Sequence, residues 1–188
     1  MNETLKYIKE SKIKIILLIS ILMLGLLTGI LTYPFLKDIT RLIAEQLKSL
    51  VSTEDQLQTT LNILSRNIQA TLITMILSPT IILPLIIIYA NGLIAGLITH
   101  MAIEKGKTPG IITLSLIPHG IPELTAFLLT TSRGMDIGLA ALNPQGKSRI
   151  TATAEAIKKA VKTYITITIP LLIIAAFTET YISTQIIQ

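Results

Sequence analysis

Apolar residues in this chain come in long runs rather than as the half-apolar stripe of a soluble helix. The runs Ile13–Tyr33 and Ile165–Ala176 are the clearest, and ~20 such residues are enough to cross a bilayer. The pattern predicts an all-α, polytopic membrane helix bundle of about five transmembrane helices, forming a single integral membrane domain over 1–188. The predicted spans are 13–33, 67–83, 84–101, 111–131 and 164–182. From Asn67 to His100 the chain is almost uncharged and too long for one crossing. Pro79 and Pro84 in SPTIILP are the natural places to divide it, because proline lacks the donor that continues a helix ladder.

Between the runs, the periodicity changes. After Pro34, Leu36, Ile39, Ile43, Leu47 and Leu50 recur at helical spacing with Lys37, Arg41, Glu45 and Lys48 on other faces, which predicts an amphipathic surface helix. At STEDQL a second helix starts, with Ser52 or Thr53 as its cap and Leu57, Leu61 and Leu64 continuing its apolar face. Together they form an outer amphipathic loop over 35–66, a lid over the spans or a face for a protein partner.

Charge sets the topology. Lys6, Lys9, Lys12 and Lys14 precede the first run, which is too long for a signal-peptide core and lacks a small-residue cleavage site, so it reads as a retained anchor. The segment 132–163 carries Arg133, Lys147, Arg149, Lys158, Lys159 and Lys162 against Asp136 and Glu155. By the positive-inside rule this basic loop is cytoplasmic, like the N-terminus, and an odd number of crossings leaves the C-terminus outside. Within it, Ile150, Ile157, Val161 and Tyr164 share a face of a predicted surface helix, with anionic headgroups as neighbours. The formal charge of +5 has this explanation; with aromatic residues at 4%, nucleic acid is excluded as a partner. Absence of cysteine excludes disulfides and thiolate chemistry.

The candidate chemistry lies in LSLIPHGIPELTAFLL, where His119 and Glu123 interrupt an apolar run. Ionisable groups at membrane depth are costly and mark a packed, wet or functional interior. On a helix, positions four apart share a face, so both reach one ion, proton or polar group. Pro118, Gly120 and Pro122 predict a broken helix at this motif, as at transporter binding sites. Asn67, Asn91 and Glu179 also lie in apolar surroundings. The five together make a candidate polar centre for ion or proton binding, and His119, Glu123 and Glu179 the candidate ligands of a divalent metal; no other cofactor is expected. A buried network that fixes helix register remains the structural alternative. His100, beside Glu104, Lys105 and Lys107, reads as an ordinary interface histidine. The G-x-x-x-G pairs Gly25/Gly29 and Gly92/Gly96 predict close helix packing, internal rather than at a dimer seam, although they permit a homodimer; Gly134/Gly138 repeats the spacing. Walker, nucleophile-elbow and H-E-x-x-H motifs are absent.

The stretch LIPHGIPELTAFLLTTSRGMDIG resembles the signature of the stage II sporulation protein M family, with Pro118, His119, Gly120, Glu123, Ala126, Gly134 and Gly138 in place and Pro122 and Thr125 as less usual variants. Asn67, Asn91-Gly92 with Gly96, and AAFTET carrying Glu179 extend the resemblance over most of the chain from Asn67 onward. It implies an all-helical protein of roughly five spans which, in spore formers, holds peptidoglycan-degrading partners at the septal membrane. The Ile- and Lys-rich composition suits an archaeal-type member, for which the polar motif serves something more general. The leading expectation is a non-enzymatic protein that scaffolds or anchors a membrane-associated complex through an unidentified protein partner. A transporter or channel for protons or cations, and a membrane metalloenzyme acting on lipid, are the alternatives.

Overall fold

The computed structural model describes Tyr7 and residues 11–51 and 55–183, except the side chains of Lys48, Leu50 and Val51. The expectations for Lys6, Lys9, Ser52 and Thr53 fall outside those residues. All regular structure among the described residues is helical. Helix α1 spans Lys12–Thr32, α2 Lys37–Val51, α3 Gln56–Leu77, α4 Ile82–Glu104, α5 Pro109–Leu142, α6 Arg149–Thr163 and α7 Ile169–Thr178. Among the described residues, four helical stretches are long and apolar enough to cross a membrane: Lys12–Phe35, Ile82–Glu104, Pro109–Leu142 and Arg149–Ser183. The protein is an all-α membrane helix bundle. The cap of α3 is Asp55, whose side chain accepts from the Leu57 N–H at 2.9 Å. Its carboxylate also complements the positive end of the helix dipole.

Glycine sets how α1 meets α4. A Cβ on Gly25 would meet the Tyr89 carbonyl, one on Gly29 that of Leu93, one on Gly92 that of Leu22 and one on Gly96 that of Leu26, all inside contact distance. The two small-residue pairs therefore mesh with each other inside one chain. Their partners rise in number together, so α1 and α4 run parallel. Parallel helices cannot be joined by a short turn, and the intervening chain must return between them. It does so as α2 and α3. The predicted 67–83 segment is the C-terminal part of α3 and a 3-10 turn over Ser78–Thr80, after which Ile81 takes a positive φ of 64°. The chain breaks at this turn; Pro84 lies buried in the first turn of α4.

Helix α5 runs without interruption through Pro118 and Pro122. This corrects the expected break: the prolines delete two donors from the ladder without ending the helix. The carbonyl of Pro118, which would have served residue 122, lies 3.3 Å from the Thr178 hydroxyl on the neighbouring helix. A donor from outside the ladder is what allows a proline to stay inside a membrane helix. The irregularity lies instead in the last span, where π-turns at Tyr164–Thr168 and Glu179–Ser183 flank α7. Pro170 follows the first of them.

At about 51 Å, α5 is longer than a ~30 Å hydrocarbon core. Its C-terminal part pairs with α6 as a helical hairpin. The face of α6 turned to α5 is made of small residues, with Ala160 and Thr163 buried, whereas Ile150, Ile157 and Val161 are exposed. Two apolar clusters hold the rest: Leu18, Ile88, Phe127 and Met135 where α1, α4 and α5 meet, and Tyr33, Leu97 and Met101 toward the α2 end.

Candidate functional site

Hydroxyls build the α3–α5–α7 interface around the site. Thr130 and Thr168 share a hydrogen bond at 2.8 Å, Thr71 and Tyr164 one at 2.9 Å, and Thr60 donates to Thr180 at 3.0 Å. Each threonine carries little bulk and finds its partner across the seam, so these helices pack closely without leaving those hydroxyls unpaired.

Within this frame a cavity of about 640 Å³ is lined by Asn67, Asn91, His119, Glu123 and Glu179 together. All five sequence-identified polar residues therefore face one space. Leu22, Leu47, Phe127 and Leu172 form its apolar walls, and Leu22 and Asn91 place it halfway along α1 and α4. Leu47 belongs to the amphipathic α2, so the surface helix closes part of that cavity.

His119 and Glu123 share a face of α5, and the π-turn after α7 brings Glu179 and Ser183 against them. One ligand atom from each of His119, Glu123 and Glu179 lies within 4.8 Å of the others. His119 Nδ1 lies 2.8 Å from Ser183 Oγ, and the ring also engages the Ser115 backbone one turn earlier on α5. Asn91 bonds back to the Ile87 carbonyl through Nδ2 at 2.8 Å. Asn67 has a buried Nδ2 with no partner.

The sequence reading missed Arg66, which lines the same cavity and acts electrostatically on Glu179. Its signal was available: a lone arginine opening an uncharged run. Ser183 and the two π-turns carried no signal, since a π-turn arises from tertiary packing that local propensity does not report. Gly120 contributes no close approach, because a Cβ there would meet nothing within 4 Å. His100 is occupied elsewhere, with Nδ1 2.7 Å from the Ile30 carbonyl and its ring stacked on Tyr33 at 4.6 Å.

A second cluster sits at the opposite end, away from the α2 helix. Asp136 pairs with Lys14 and accepts from the Tyr7 hydroxyl at 2.8 Å, and the Arg133 guanidinium stacks 3.3 Å over the Tyr7 ring. These contacts tie the chain before α1 to the α5–α6 hairpin. Burial first, and then the Asp136 charge, pushes the Tyr7 hydroxyl up to about 12.

The family model for stage II sporulation protein M matches residues 14–184. No curated protein and no solved structure matches the chain.

Proposed function

The chain belongs to the stage II sporulation protein M family, whose name says nothing of ion chemistry, and we propose from its geometry that it is a non-enzymatic transporter or channel moving protons or cations. The observation that carries this reading is the convergence of His119, Glu123 and Glu179 in one mid-depth cavity. A structural network would pair its members with one another. Here neither Glu123 nor Glu179 has a hydrogen bond or ion pair among the described residues, and leaving two carboxylates unpaired at membrane depth costs several kcal/mol each unless an occupant compensates.

The parallel packing of α1 and α4 supports a return crossing by α3, which gives five crossings. Helix α3 is less apolar than α1, α4, α5 and α7 because its inner face supplies Arg66, Asn67 and Thr71 to the cavity. Glu123 provides charge for a passing cation, His119 a second polar contact, and Leu47 of α2 a wall on the path to the surface.

Flux of protons and divalent cations into proteoliposomes tests this, with wild-type protein, Glu123→Gln and protein-free vesicles side by side. Flux present in the wild type and lost in the variant supports transport. Flux unchanged by the variant removes Glu123 from the path.

A scaffold role is favoured by a different feature. The α5–α6 hairpin extends beyond bilayer length and exposes Leu142, Ile150, Ile157 and Val161 beside its lysines. Cross-linking in native membranes tests it by recovery of a stoichiometric protein partner on this hairpin.

A further inference from the structure

Resting on the transport reading, we infer that His119, Glu123 and Glu179 bind a divalent transition-metal cation, with Arg66 as a tethered positive charge that competes with the ion for Glu179.

The donor set selects the ion class. One imidazole nitrogen and two carboxylates suit manganese, iron, cobalt or zinc in the divalent state. Calcium and magnesium take oxygen shells and gain little from His119. A soft monovalent ion would call for thiolates, and the chain has no cysteine. A proton alone would neutralise one carboxylate and leave the second unpaired, whereas a divalent ion answers both at once.

Support around the ligands points the same way. A metal-binding histidine normally has its second nitrogen held by a hydrogen bond that fixes ring orientation. Ser183 does this for His119 at 2.8 Å. The ligands come from two elements, the face of α5 and the π-turn after α7, so closure around the ion draws those helices together. Asn67 completes the argument: its buried amide nitrogen has no protein partner, so the cavity wall is unsatisfied without an occupant.

Arg66 then has a role that a static site would not need. Among the described residues it is the one basic side chain lining the cavity besides His119. Its charge is repelled by a bound ion and attracted by Glu179 from beyond salt-bridge distance, so it lowers the affinity of the site and favours release of the ion.

Calorimetric titration of chelator-stripped, detergent-purified full chain with manganese or zinc chloride tests this directly. The expected result is one ion per chain. Ser183→Ala should weaken affinity about ten- to a hundredfold, as loss of a ligand-orienting partner does, and Glu123→Gln and Glu179→Gln should weaken it further. Arg66→Gln should tighten it by about tenfold or more, through removal of a nearby like charge. Size-exclusion elution and thermal unfolding show that each variant is folded. Binding that survives all the ligand variants is a surface site and overturns the proposal, as does equal affinity for calcium or magnesium, or no binding at all. Unchanged affinity in Arg66→Gln overturns the role of Arg66. Proton flux without metal binding removes the metal site while leaving the transport reading in place; metal binding without flux keeps the site and removes transport.

Discussion

Glu123 and Glu179 bring carboxylate oxygens within 4.8 Å of each other from two different helices, and among the described residues neither finds a cationic partner at salt-bridge distance. Such an arrangement is repulsive when both are charged and poorly solvated when either is buried. Replacing one carboxylate by its amide relieves both costs. Glu179→Gln should therefore raise stability by about 0.5–2 kcal/mol in chelator, the usual gain when a functional compromise is removed. Thermal unfolding in detergent checks the sign. A lower melting temperature would mean that Glu179 holds the bundle together, and would turn the centre back into a structural network.

Glycines inside the helices separate into two kinds. At Gly29 and Gly96 a Cβ would strike backbone on the facing helix, and backbone cannot rotate away. Gly96→Ala should cost about 1–3 kcal/mol, the penalty of overpacking. At Gly120 a Cβ meets nothing within 4 Å, so Gly120→Ala should instead gain about 0.5–1 kcal/mol from helix propensity. Parallel unfolding curves for the two variants measure this. A destabilised Gly120→Ala would show that a second copy or a partner lies against that face.

The i, i+4 spacing of His119 and Glu123 made their shared face legible in the sequence, because helical periodicity depends on nothing beyond the local chain. Asn67, Asn91 and Glu179 were singled out as polar groups in apolar runs, but their convergence on one cavity is tertiary and needed the structure. Proline was the misleading signal at Pro118 and Pro122. The local rule counts a missing donor as a break, yet the Thr178 hydroxyl from the next span reaches the freed Pro118 carbonyl and the helix continues. The stripe of Ile150, Ile157 and Val161 on α6 was legible as the outer face of a surface helix and is exposed, whereas the face turned to α5, made of alanine and threonine, gave no hydrophobic signal.

Asp136 anchors the chain before α1. It pairs with Lys14, accepts from Tyr7 and lies 4.0 Å from Arg133. Asp136→Asn should cost about 1.5–3 kcal/mol, the range for hydrogen bonds to a charged group, and should free Tyr7. The sign with pH follows from the raised Tyr7 hydroxyl. Its contribution is fully present below the ordinary value of 10.0 and is lost as pH rises from there toward about 12, because the unfolded chain releases that proton first. A tyrosinate absorbance titration should show Tyr7, assigned by the component that Tyr7→Phe removes, titrating late in the wild type. In Asp136→Asn that tyrosine should move back toward the ordinary range.

Topology is open to a chemical test because the chain has no cysteine of its own. Lys37 pairs with Glu104, so the start of α2 and the end of α4 lie at the same end of the bundle. Lys14 pairs with Asp136, which puts the start of α1 and the α5–α6 hairpin together at the other. A single cysteine at Lys105 and one at Gln145 should therefore react with a membrane-impermeant thiol reagent from opposite sides. If the basic hairpin is cytoplasmic, the orientation its charge favours, Lys105→Cys is labelled in intact cells and Gln145→Cys only after lysis. Labelling of both from outside would place the hairpin and the α2 end on one side, and neither the five-crossing path nor a cavity reached from the α2 surface could then stand. Reversed labelling would keep the bundle and invert it, so that the cavity opens toward the cytoplasm.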